Sequence, residues 1–152
     1  MDARSVFAVR GLRCTRQRVV LYEALINMKT HPTAEELYDK VREHCPGLSL
    51  ATVYNTLEVL CRAGLCRRLP TTRGSSRYDA DTHPHLHAVN SETGDVVDIP
   101  DDLGQEVIQN LPQDVIKEIE ARLDMSVDRI SIQFIGREQA RPLEKVTQEV
   151  SV

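Results

Sequence analysis

Three stretches in the first 64 residues set apolar side chains at helical spacing, each behind a residue suited to capping. Thr15 opens the first, predicted over residues 16–28, with Val19, Leu21, Ala24, Leu25 and Met28 on its apolar faces. Thr33 followed by Glu36 is a capping-box pattern, in which hydroxyl and carboxylate each satisfy a free backbone amide. It starts a second helix with Leu37 and Val41 inward, ended by Pro46 and Gly47. Ser49 caps a third, where Val53, Leu57 and Leu60 fall at i, i+4 and i+7. Gly64 suits the left-handed position after its last turn. Residues 65–69 and 76–78, separated by a Pro/Thr/Gly turn, read as two short strands. Three helices and a hairpin in that order describe a winged helix-turn-helix.

Past Asp79 the pattern changes. Residues 85–90 and 95–99 alternate around Ser91-Glu92-Thr93-Gly94, a hairpin turn. Two helical patterns follow, one through Leu103, Val107, Ile108 and Leu111, the other through Val115, Ile116, Ile119 and Leu123, with Pro112 between them. Residues 127–135 alternate through Val127, Ile130, Ile132 and Phe134 and are expected to form a third strand. The fold class is therefore α+β, a winged-helix DNA-binding domain over residues 1–79 followed by a small α/β unit over 80–152. An incomplete sheet with apolar edges buries more surface by pairing with a copy of itself. A homodimer through residues 84–135 is expected, with a loose polar tail over the last dozen residues.

At 152 residues with 41% apolar content the chain can bury a core, but only 4% is aromatic and Trp is absent. Leu, Ile and Val must supply the packing. No apolar run approaches the roughly 20 residues that span a bilayer, and the N-terminus lacks a signal-peptide pattern, so a cytoplasmic protein away from membranes is expected. Cys14, Cys45, Cys61 and Cys66 form no Cys-x-x-Cys pair and read as free thiols. For Cys61 and Cys66, close in sequence, a zinc-binding or redox pair is the weaker interpretation.

The net charge of −4 divides unevenly. Residues 1–78 carry thirteen Lys and Arg against seven Asp and Glu, a net of +6; the remainder carry six against sixteen, a net of −10. Nucleic-acid affinity belongs to the first half. In a helix-turn-helix the second helix of the pair enters the major groove with its early residues nearest the bases. With Val53 and Leu57 inward, Thr52, Tyr54, Asn55 and Thr56 are left toward DNA; Asn can read adenine, and Tyr a thymine methyl or a phosphate. Arg13, Arg16 and Arg18 cluster at the first helix, and Arg67, Arg68, Arg73 and Arg77 line the wing, both sets placed for phosphate.

The candidate chemistry sits just past the wing. His83, His85 and His87 crowd together, with Asp79 and Asp81 before them and Asp98 after. Neutral imidazole and carboxylate are ligands for borderline divalent cations. Alternate residues of a strand share a face, so His85 and His87 can share an ion. A four-residue turn at 91–94 sets Asn90 opposite Asp95, and therefore His87 opposite Asp98, with Cβ atoms about 5 Å apart. Asp79 leaves the wing close enough to join them. His83, beside Pro84, is either a bystander or a weak extra ligand.

These motifs together resemble the ferric uptake regulator (Fur) family, and within it the peroxide-sensing PerR branch. The resemblance runs through Thr15-Arg16-Gln17-Arg18, His31-Pro32-Thr33-Ala34, Ala51-Thr52-Val53-Tyr54-Asn55-Thr56-Leu57, Gly64-Leu65, Ser76-Arg77-Tyr78-Asp79 and His85-Leu86-His87. It implies a regulatory metal, Fe(II) or Mn(II), held by His31, Asp79, His85, His87 and Asp98, with Zn(II) also compatible with the donors. It adds His31, which spacing does not place. It implies a homodimeric repressor whose metal sets the two winged helices at the spacing of a palindromic DNA operator. Asp at both 79 and 98 is similar to the peroxide sensors, in which Fe(II) and peroxide oxidise a ligating histidine, here His31 or His85. Two departures stand out. The cysteines that hold a structural zinc in most members are Asn90, Thr93, Glu138 and Arg141, so no structural zinc is expected, and a histidine of the last strand is Ile130.

A reversible iron sensor is the near alternative. A non-haem iron enzyme is disfavoured because five protein ligands leave little room for co-substrates, and no enzyme activity is expected. A winged-helix protein indifferent to metal is the remaining alternative.

Overall fold

The computed structural model describes residues 2–72, 74–128 and 130–138. Its first helix, α1 (Ala3–Val9), has no counterpart in the predicted elements. Asp2 caps it by accepting from the Ser5 amide at 2.9 Å, and Phe7 is fully buried with its ring 5.3 Å from that of Tyr22. Seven residues give too short a period to read as a helix from sequence. A single deeply packed aromatic anchors it.

The next three helices start at the predicted caps. Thr15 caps α2 (Arg16–Asn27), and both bonds of the Thr33–Glu36 capping box are made at the start of α3 (Ala34–Val41). Ser49 accepts from the Thr52 amide at the start of α4 (Leu50–Arg62). Gly64 closes α4 with φ +68°, a left-handed conformation that costs glycine nothing, and the Leu65 amide returns to the Leu60 carbonyl. Leu21, Leu25, Leu37, Val53, Leu57 and Leu60 meet in one core with Phe7, all at most 1% exposed. Strands β1 (Arg67–Leu69) and β2 (Arg77–Asp79) pair antiparallel as the wing, with Arg67 opposite Asp79. Helices, hairpin and packing make this half a winged helix.

In the second half, β3 (His87–Asn90) and β4 (Val96–Asp98) form the expected hairpin with His87 opposite Asp98. Helices α5 (Asp101–Gln109) and α6 (Gln113–Leu123) then lead to β5 (Gln133–Gly136), which pairs parallel to β3 on its other edge. Two expectations need correction. The first hairpin strand begins at His87 rather than at residue 85: the Leu86 carbonyl still accepts from the Ile99 amide, but the His85 ring turns back to the His83 carbonyl. The last strand occupies Gln133–Gly136 and not residues 127–135. Its partner β3 offers only four residues, and the Val127 amide is bound instead by the Glu120 carboxylate at 2.8 Å. Ile130 lies outside the strand, and the expected loose tail lies outside the described residues.

Burial differs sharply between the halves. The second sheet's buried apolar cluster is Val89 and Val96, joined by Leu69 from the turn end of β1. Val97, Phe134 and Ile135 of the sheet, and Val115, Ile119 and Leu123 of α6, remain exposed. Phe7→Ala should destabilise the chain by about 3–5 kcal/mol through the cavity it leaves. Urea titration followed by circular dichroism would register it as a lower midpoint with unchanged slope.

Candidate metal centre and nucleic-acid interface

His31 follows the end of α2 in the left-handed region, φ +49°, a conformation with a strain cost for a branched-off ring and one held here from several sides. Pro32 accepts from the Tyr78 amide, and Thr33 bridges to Arg77, so the segment lies along the wing strand β2. The His31 ring is buried, and its Nδ1 donates to the Val96 carbonyl in β4 at 3.1 Å. That bond leaves the Nε2 lone pair facing inward. His85 is oriented in the same way, with Nδ1 donating to the His83 carbonyl at 2.8 Å. Such bonds fix tautomer and ring direction in metal-ligating histidines.

The five side chains singled out converge. Asp98 Oδ1 lies 3.0, 3.1 and 3.4 Å from Nε2 of His31, His85 and His87. Asp79 lies 3.7 Å from His31 through Oδ1, and 3.2 and 3.6 Å from His85 and His87 through Oδ2. One ligand atom from each of His31, Asp79, His85 and His87 falls within 4.8 Å of all the others. Donors about 2.1 Å from a common ion stand roughly 3–3.5 Å apart, so the spans suit one cation. Asp79 Oδ2, His85 Nε2 and His87 Nε2 are buried without a hydrogen-bond partner. Buried polar atoms normally have one, and a shared cation would satisfy all three. Donor type, spacing and orphaned atoms therefore all fit a divalent metal.

Burial pushes the Asp79 carboxyl up. The His87 imidazole, the Asp81 amide and the neighbouring His31 and His85 rings outweigh it and hold the group below its ordinary value, as a carboxylate. Asp98 is the half-exposed side of the cluster. His83 stays outside it, solvent-exposed, with its ring on Asp81 Oδ1 at 3.0 Å.

Arg77 is where the sequence interpretation fails. It was expected on the wing surface for phosphate, yet it is buried at the junction of the two halves. Its guanidinium donates to the His31 carbonyl and Glu36 Oε2, both at 3.1 Å, and to the Gly94 carbonyl at 3.0 Å and Asp95 Oδ1 at 2.7 Å. Four acceptors, two from each half, use its planar fork. Its place two residues before Asp79, on the same face of β2, is the only hint the sequence offers.

The DNA-facing set is only partly exposed. Tyr54 and Asn55 are exposed on α4 and Thr52 partly so, but Thr56 is buried, because it shares the inward face with Val53 and Leu57. The Tyr54 hydroxyl donates to Glu35 Oε1 at 2.6 Å, which raises the phenol and lowers the carboxyl. Tyr54 thus offers its ring more readily than its hydroxyl. Arg13 and Arg16 are exposed, and Arg18 reaches back to the Arg13 carbonyl at 2.7 Å. Arg67 donates to the Thr82 carbonyl, and Arg68 to Ser76 Oγ at 2.8 Å across the wing. Arg73 lies outside the described residues. Where the resemblance places zinc-binding cysteines, Asn90 accepts from the Glu92 and Thr93 amides, and Thr93 donates to Asp95, closing the hairpin turn. Of the other two such positions, Glu138 is exposed and Arg141 lies outside the described residues.

The model described as the ferric uptake regulator family matches residues 9–132. The chain is 41% identical over 88 residues to the peroxide-responsive repressor PerR of Staphylococcus saprophyticus, 58% of this chain and 60% of that one. It therefore spans less than two thirds of the length of that curated relative. Among solved structures it is similar to the ferric uptake regulator of Pseudomonas aeruginosa with manganese, TM-score 0.67 at 27% identity, over 92% of this chain and 100% of that one. It is likewise similar to the Vibrio cholerae ferric uptake regulator, TM-score 0.66 at 29% identity, over 90% and 99%.

Arg77→Met should cost about 2–4 kcal/mol, less than a fully buried pair because Glu36 and Asp95 are half-exposed. Thermal unfolding of the metal-free protein would show the loss.

Proposed function

Because the chain belongs to the ferric uptake regulator family, we propose that it is a metal-dependent repressor that binds palindromic double-stranded DNA as a homodimer and responds to peroxide. The observation that carries this is the meeting of His31 and Asp79, from the winged-helix half, with His85, His87 and Asp98 from the other. We take residues 1–79 as the DNA-binding domain and 80–152 as the dimerisation domain. A cation gripped by both halves fixes the angle between them, and in a dimer that angle sets the separation of the two recognition helices.

His31, Asp79, His85, His87 and Asp98 would hold Fe(II) or Mn(II), and the same nitrogen and oxygen donors accept Zn(II). Bound there, Fe(II) would supply the one-electron reduction of peroxide that oxidises a neighbouring imidazole, with His31 and His85 as the candidates. The residues do the rest. Val96 and His83 aim the His31 and His85 rings, Asp79 supplies buried negative charge, and Asp98 leaves one side of the cluster open to solvent. On the DNA side, Arg13, Arg16, Arg18 and Arg73 would meet phosphate, and Thr52, Tyr54 and Asn55 the bases. The exposed apolar residues of β4, β5 and α6 support a dimer interface. No helix among the described residues is long and apolar enough to cross a membrane.

Aspartate at both 79 and 98, with the likeness to PerR, supports peroxide over iron level as the signal. A reversible iron sensor built on the same site is the second reading, supported by the likeness to two ferric uptake regulators. Peroxide treatment of the Fe(II)-loaded protein should add about 16 Da to a peptide containing His31 or His85. An unmodified digest combined with iron-dependent DNA binding would favour the second reading.

His31→Ala, Asp79→Ala and Asp98→Ala should each weaken Mn(II)-dependent binding to a selected palindromic duplex about 10–100-fold. Far-ultraviolet circular dichroism should not change, and unfolding of the variants would instead make the site structural. Light scattering at micromolar concentration should give a dimer, and a monomer would remove that part of the proposal.

A further inference from the structure

Cys61 and Cys66 are not used by the metal centre or by the DNA-facing residues, yet their sulfurs lie 3.1 Å apart. The helix end brings them together. Cys61 sits in the last turn of α4, Gly64 reverses the chain in a left-handed conformation, and Cys66 returns beneath the helix with its Sγ on the Leu57 carbonyl. Cys66 is buried in the core and Cys61 is half-buried. A disulfide bond is about 2.05 Å long, so the two sulfurs need to move together by only about 1 Å. Among the described residues the pair belongs to no group of three or more candidate metal ligands. This favours a dithiol over a zinc site, which takes four ligands.

We infer that Cys61 and Cys66 form a peroxide-oxidisable dithiol, a second redox site that closes an intramolecular disulfide between the end of α4 and the start of the wing. The contact with Cys66 holds the Cys61 thiol below its ordinary value. The same contact, followed by burial, pushes Cys66 up. Cys61, the half-buried and more accessible thiol, is the attacking sulfur, and the buried Cys66 beneath it the resolving one. The Cys61 thiolate attacks one oxygen of hydrogen peroxide, the O–O bond breaks, and hydroxide leaves to be protonated to water, giving a sulfenic acid at Cys61. The Cys66 sulfur then attacks the Cys61 sulfur, the S–O bond breaks, and the departing hydroxide takes the Cys66 proton as a second water. Two thiols supply two electrons and one peroxide becomes two waters.

The inference stands apart from the metal-based function, because its test uses the full chain stripped of metal by a chelator. After hydrogen peroxide, alkylation by N-ethylmaleimide in denaturant and trypsin, the peptide of residues 43–62 should be joined to that of 63–67. The pair should weigh about 2 Da less than the two reduced peptides together and separate on adding dithiothreitol. Fragmentation assigns the bridge to Cys61 rather than Cys45, which shares the first peptide. Cys61→Ser and Cys66→Ser should each abolish the link, and Cys66→Ser should trap a dimedone adduct on Cys61. Alkylation of both cysteines as in untreated protein would overturn the inference. So would sulfinic acid at Cys61 with Cys66 still alkylated, or a bridge through Cys45.

Discussion

The buried guanidinium of Arg77 and the ring of His31 together tie the winged helix to the hairpin of the second half. Arg77 takes acceptors from both sides, and His31 Nδ1 reaches a carbonyl of β4. Both ties run through residue 31, whose carbonyl binds Arg77 while its ring faces the cluster. Its left-handed backbone is tolerable because neighbours on either side hold it. If either tie is lost, the strained residue has less reason to keep its Nε2 beside Asp98. The geometry of the candidate centre is thus set from outside it, by bonds that involve no ligand atom.

The two halves are stabilised differently. The first has a closed core of Leu, Val and Phe side chains and makes its helix caps with its own hydroxyls. The second buries few apolar side chains and leaves one side of its sheet and much of α6 open. A unit of that kind gains from any contact that covers it or ties it down. A cation shared between the halves and a second copy of the chain would both do so. Metal occupancy and assembly would then reinforce each other.

The winged helix was legible because each of its helices carries a start signal, an apolar stripe and a stop signal that agree. The hairpin register was legible from the length of its turn, and that register alone set Asp98 opposite His87. Other features depend on contacts distant in sequence. His31 joins ligands about fifty residues away through the path of the chain after α2, which no local spacing encodes. Arg77 resembles any wing arginine until the second half is folded against it. Thr56 shows the limit of a polar/apolar division, since a hydroxyl can face a core beside Val53 and Leu57. The last strand was misplaced because alternation continues where no partner strand does.

The pairing of β5 with β3 joins Gln133 to His87, with the hairpin partner and two helices between them in the chain. Sequence-distant contacts of that kind carry a loop-closure entropy that helices with adjacent partners avoid, and they form late. During synthesis the winged helix can therefore condense while the second sheet still lacks its third strand. A nascent chain would hold its folded winged helix before the side chains of His31, Asp79, His85, His87 and Asp98 could be brought together.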